Sequence, residues 1–167
     1  MKLSLTVLEI LVVSCVFVPF FIFIYKGLNS TSKTKNKAEK ITKANGFNYK
    51  LKEVWNNKYI GLAEENNMLT YIQFNKEDDK IFNINLSKVK SCELISDYKT
   101  GKDKVTRLQY LELRITFLSM QDEDKVLSFF NNQEAFMENY ELQRIKKWHK
   151  LINSNINMDL KKASILF

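Results

Sequence analysis

Eight lysines are the side chains best placed to do chemistry in this 167-residue chain: Lys33, Lys35, Lys37, Lys40, Lys43, Lys50, Lys52 and Lys58. Ammonium groups this close together attract anionic surfaces, at about 1 kcal/mol per basic residue beside a lipid headgroup layer. These eight are the candidate anionic-lipid contacts. Residues 26–58 carry nine lysines against Glu39 and Glu53, a net of +7, while residues 59–167 balance at 16 basic and 16 acidic residues. The chain's net charge of +7 is thus gathered into one stretch.

Other chemistries lack parts. His149 is the only histidine, which leaves no metal site, triad or proton relay to be built from imidazoles. Its place on a charged helix reads as surface. Cys15 and Cys92 are too far apart for a CxxC or zinc spacing, and one thiol in the folded part makes no disulfide framework. The glycines Gly27, Gly46, Gly61 and Gly101 are scattered, so no phosphate-cradling loop exists. Glu77-Asp78-Asp79 and Asp122-Glu123-Asp124 lack EF-hand spacing and sit where hairpins turn. No cofactor, metal or catalysis is expected. Nucleic acid is not an expected partner either, because only Arg107, Arg114 and Arg144 among the 26 basic residues are the arginines that base readout favours.

The elements that would position the lysines begin with an apolar run, Leu3–Tyr25, broken only by Glu9 and Pro19. As a helix it is roughly 34 Å long, enough to cross a bilayer core. With Lys2 before it and the lysine stretch behind it, the positive-inside rule places the C-terminal part in the cytoplasm, as a single-pass protein of the inner (cytoplasmic) membrane. Val12-Val13-Ser14-Cys15 is similar to a lipoprotein lipobox, but Cys15 is followed by ten more residues of the run, so an apolar residue within the span is the simpler reading. Glu9 is either an interfacial carboxylate or a contact to another membrane helix.

Four regions follow from composition: a transmembrane anchor at 1–28, a lysine-rich juxtamembrane linker or short helix at 29–46, a β-rich domain at 47–156 and a tail at 157–167. Alternation and turn residues predict strands at Tyr49–Trp55, Tyr59–Glu64, Met68–Phe74, Lys80–Asn85, Val89–Tyr98, Thr106–Leu118 and Lys125–Phe130. The pattern suits a half-buried antiparallel sheet. Between Glu138 and Ile156 the period changes: Leu142, Ile145, Trp148, Leu151, Ile152 and Ile156 form a helical stripe. The tail ends in Ile165-Leu166-Phe167; fraying is the default for such a terminus, and docking on an edge strand or a partner by strand addition is the alternative.

Seven strands closed by a helix carrying Leu142-Gln143-Arg144-Ile145-Lys146-Lys147-Trp148 resemble the pleckstrin-homology-like fold. With Ile60-Gly61-Leu62-Ala63-Glu64-Glu65, Ile84-Asn85-Leu86-Ser87-Lys88-Val89 and Leu111-Glu112-Leu113, the chain is similar to small, uncharacterised bacterial single-pass membrane proteins that bear such a domain. The resemblance implies an α+β fold: an N-terminal transmembrane helix, then about seven antiparallel strands capped by a C-terminal amphipathic helix. It also implies a basic loop between the first two strands as the headgroup site. Lys50, Lys52 and Lys58 stand nearest to that position, without the arginine usual there. The expected function is a membrane-anchored, non-catalytic module that binds a protein partner or anionic lipid. The alternative is a structural subunit of a membrane assembly, held through its transmembrane helix.

Overall fold

The computed structural model describes residues 13–15, 17–19, 32–134 and 140–165. Residues 32–44 form helix α1. It stops at Asn45-Gly46, where Gly46 adopts φ 70° and the two N–H groups bond back to Ile41 and Lys43 carbonyls at 3.3 Å. That left-handed close is what glycine provides at a helix end. Strands β1 (Leu51–Trp55), β2 (Lys58–Ala63), β3 (Met68–Gln73) and β4 (Lys80–Asn85) then form one antiparallel sheet in chain order. Strands β5 (Val89–Thr100), β6 (Thr106–Phe117) and β7 (Lys125–Asn131) form a second, and α2 (Glu141–Ile165) closes the chain. Each strand starts and stops within two residues of its expected place. The described residues are α+β, with seven antiparallel strands in two sheets and a C-terminal helix.

One expectation is corrected. Among the described residues no helix is long and apolar enough to cross a membrane. That finding contradicts the expected transmembrane helix and the single-pass placement in the inner membrane that rested on it. Among the described residues the longest helix, α2, has 25 residues, but Arg144, Lys146, Lys147 and Lys150 lie beside its apolar stripe and keep the helix from being apolar on all faces. Of the run Leu3–Tyr25 only residues 13–15 and 17–19 are described, as helix, and Glu9 lies outside the described residues. A second expectation shifts as well: α2 runs on through Ile165, so most of the anticipated tail is helical and Ile165 is no free strand.

The main core lies between the sheets and under α2. Ile60, Leu62, Leu69, Tyr71, Leu111, Leu113, Ile115, Phe129, Ile145, Trp148 and Ile152 are essentially inaccessible to solvent. β6 alternates as expected, with Leu111, Leu113 and Ile115 buried and Arg114 exposed. β2 does not: all six of its residues are buried, as are five of six in β3. Strands covered on both faces need a second layer, and α1 supplies it. Ala38 and Ile41 of the helix pack on Tyr59, Ile72, Phe74 and Val54.

Glu53 of β1 ties α2 to the first sheet. Its carboxylate accepts hydrogen bonds from Arg144 Nε and Trp148 Nε1, both at 3.2 Å, and from the Lys147 ammonium. The Arg144 guanidinium lies 4.9 Å from the Trp55 ring centre, and that indole donates to the Phe129 carbonyl at 3.2 Å. Burial alone would raise the Glu53 carboxyl. The hydrogen bonds from Lys147 and Trp148, with the charges of Lys147 and Arg144, outweigh burial and hold it below the usual carboxylate range. A depressed carboxylate adds stability above its unfolded pKa, near about 4.3, and that stability is lost as pH falls through the folded value. Glu53→Gln should cost about 1–3 kcal/mol in urea titrations at neutral pH. The gap between wild type and variant should close below about pH 4, and a gap that persists in acid contradicts this assignment.

Candidate functional site

The eight lysines divide three ways. Lys33, Lys35, Lys37, Lys40 and Lys43 are all exposed on α1. At about 100° per residue, Lys33, Lys37 and Lys40 fall in an arc of about 60°, its centre turned about 120° from that of the docking stripe. That stripe is Thr34, Ala38, Ile41 and Thr42, at helical spacings of four, three and one. Thr34 Oγ1 donates to the Asn56 carbonyl at 3.1 Å, and Thr42 Oγ1 donates within the helix to the Ala38 carbonyl at 2.9 Å. The hydroxyls are thereby satisfied where they meet the sheet, which lets two threonines serve as docking residues. Lys37 Nζ lies 5.7 Å from the Phe74 ring centre, within cation–π reach.

Lys52 joins this surface from β1. It is exposed, and strand alternation puts it on the same face as Val54, which packs against the α1 cluster. Lys43 and Lys52 line one cavity of about 260 Å³ with Glu39, Phe47, Tyr49 and Tyr59. Its floor is fixed: Tyr49 and Tyr59 meet edge to face at 6.3 Å, and the Tyr49 hydroxyl bonds Thr70 Oγ1 at 2.7 Å. A Cβ at Gly61 would collide with both tyrosines, so the close approach of their rings depends on glycine there. Lys50 is exposed but paired with Glu65 at 2.9 Å, and the hydrogen bond to that carboxylate raises its ammonium. An exposed pair of this kind contributes little to stability.

Lys58 is elsewhere. Its side chain is 3% exposed and its Nζ sits 2.7 Å from Glu134 Oε2, whose Oε1 accepts from Gln73 Nε2 at 3.2 Å. Asn57 Oδ1 lies 3.5 Å from the same ammonium, and Asn57 Nδ2 donates to the Phe74 carbonyl at 2.6 Å. A buried, carboxylate-bound ammonium cannot reach an external headgroup. Lys58 is a structural ion pair at the end of the first sheet, between two depressions of about 310 and 570 Å³ that share Asn57 and Glu134. The expected headgroup loop between β1 and β2 thus loses one lysine to the interior, and a second, Lys50, to an ion pair.

The remaining candidates are spoken for. His149, expected on the surface, is half-buried, and its Nε2 lies 3.0 Å from the Cys92 carbonyl oxygen, which also accepts from Asn153 Nδ2 at 3.1 Å. Burial, reinforced by Glu93, pushes the Cys92 thiol up to about 12, so it stays protonated at neutral pH. Sequence reasoning missed the α1 docking stripe. Its signal, Thr34-x3-Ala38-x2-Ile41-Thr42, is present but made of small and polar residues among lysines.

No family model, curated protein or solved structure matches this chain.

Removing either partner of the Lys58–Glu134 pair should destabilise the protein, and the effects should not add. A double-mutant cycle with Lys58→Met and Glu134→Gln should return a coupling of about 1 kcal/mol or more; a coupling near zero contradicts the pairing.

Proposed function

We propose that this chain is a non-catalytic binding module, a pleckstrin-homology-like body that holds anionic lipid headgroups on the lysine face of α1. The observation that carries the reading is the arrangement of that face. Lys33, Lys37 and Lys40 share one outward arc, Lys43 and Lys52 extend it over the Tyr49–Tyr59 cavity, and Glu39 is the one acid among them. Lysine is a compact, strongly hydrated point charge without arginine's fork. Such an array favours diffuse attraction to many phosphates over recognition of one. The contact is peripheral and requires no span. A non-catalytic role is supported by the commitment of His149 to a backbone carbonyl and of Cys92 to the interior.

The test is co-sedimentation of the full chain with neutral phosphatidylcholine vesicles and with vesicles containing phosphatidylserine. Binding to the anionic vesicles should exceed binding to neutral ones and weaken steeply as salt rises and the Debye length shrinks from about 10 Å toward about 3 Å. The triple variant Lys33→Gln, Lys37→Gln, Lys40→Gln should weaken that salt-sensitive part about 100-fold, whereas Lys50→Gln should leave it nearly unchanged. Equal binding to both vesicle types, or indifference to the three lysines, contradicts the reading.

A further inference from the structure

Beyond Tyr110 the second sheet narrows to two strands. β7 pairs with β6 only over Tyr110–Ile115, while β5 and β6 continue together to Thr100 and Thr106. Residues 96–100 of this arm are all exposed, Tyr98 at 51%. The open edge is that of β5, and its hydrogen-bonding phase can be read from both ends. At the body, the Cys92 carbonyl points away from β6, toward His149 and Asn153 of α2. At the tip, Gly101 N–H points inward and donates to the Val105 carbonyl at 2.9 Å. The register shift beside Asp97 skips Gln109 of β6, so the alternation of β5 is unbroken. In an antiparallel ladder the N–H and C=O of one residue face the same side and alternate along the strand. Ser96, Tyr98 and Thr100 therefore turn their backbone groups outward, and among the described residues none of them makes a hydrogen bond across that edge.

We infer that this edge pairs with the same edge of a second copy of the chain, antiparallel and two-fold, centred on Tyr98. In that register Tyr98 faces Tyr98 of the second copy and Ser96 faces Thr100, each an outward-facing pair able to exchange backbone hydrogen bonds. Asp97 then faces Lys99 on both sides of the axis, in the closer, non-hydrogen-bonded positions where opposite charges stabilise a sheet. The charges select the register. Centring on Asp97 or Lys99 would set like charges opposite and bring inward-facing backbone to the edge. Centring on Ser96 would slide the second strand onto residues 92–94, where α2 already fills the edge through His149 and Asn153. Exposed edge strands are usually blunted with lysine; here Lys99 has its complement two residues away. A two-fold contact of this kind is self-complementary and closed, giving a dimer with no further growth along the edge.

The test is a disulfide cross-link in the full chain, with Cys15→Ser removing the exposed thiol and Tyr98→Cys placing one at the axis. Paired Cα atoms about 5.5 Å apart at such a position match disulfide geometry. The Tyr98→Cys variant should cross-link rapidly under mild oxidation, and a Lys90→Cys variant, whose thiol lies outside the paired segment, should not. Adding Asp97→Lys or Lys99→Asp to Tyr98→Cys should each slow cross-linking about tenfold, since each replaces two attractions with two repulsions, and combining them should restore the original rate. Failure of the Tyr98→Cys variant to cross-link, or cross-linking that ignores the single charge reversals, overturns the inference.

Discussion

The fold depends on one constraint: the two central strands of the first sheet are buried on both faces. β2 has no exposed residue, and β3 hides Leu69 and Tyr71 against the main core while Thr70 and Ile72 face the other way. An antiparallel sheet can leave one face to water, but Tyr59, Ile72 and Phe74 make that face too apolar to be left bare. A helix must cover it. α1 does so with a seam of Thr34, Ala38, Ile41 and Thr42, and its five lysines all stay exposed. The charged surface is thus a consequence of the packing requirement beneath it.

Strand order and the final helix were legible in the sequence because alternation in β6 and the stripe from Leu142 to Ile156 are strong, local signals. The role of α1 was not legible. Ser32 to Ala44 reads as a lysine-rich linker or short helix, and its docking residues, two threonines, an alanine and an isoleucine, form too weak a stripe to announce that it packs on a sheet. The need for such a helix is written in the sheet instead, in the unbroken buried run Lys58-Tyr59-Ile60-Gly61-Leu62-Ala63. Lys58 shows the same gap from the opposite side. Composition groups it with the external lysines, but Glu134 lies 76 residues away in sequence, and only the fold brings the two charges together. Likewise Trp148, read from its spacing as a core residue, also donates to Glu53, which no local pattern announces.

Charge is partitioned by depth. At the interior margin, Glu53 gathers three donors and Glu134 takes Lys58 and Gln73, so each carboxylate is neutralised by partners that also join separate elements. Pairs of this kind are costly to break, because the surviving charge stays buried. At the surface, the α1 lysines have one acid among them and stand in water. The same residue type therefore holds the body together at one depth and is available to a partner at another.

Everything assigned to the lysine face requires α1 to be a fixed layer of the fold and not a free tether. Native-state hydrogen exchange measures this directly, since amides in a docked helix exchange only through opening of the structure. Amides from residues 36–44 should be protected nearly as strongly as those of β2 and β3, and that protection should fall when Ala38→Glu drives a charge into the seam. Exchange of residues 36–44 at the rate of an unstructured chain, with β2 and β3 still protected, would contradict it.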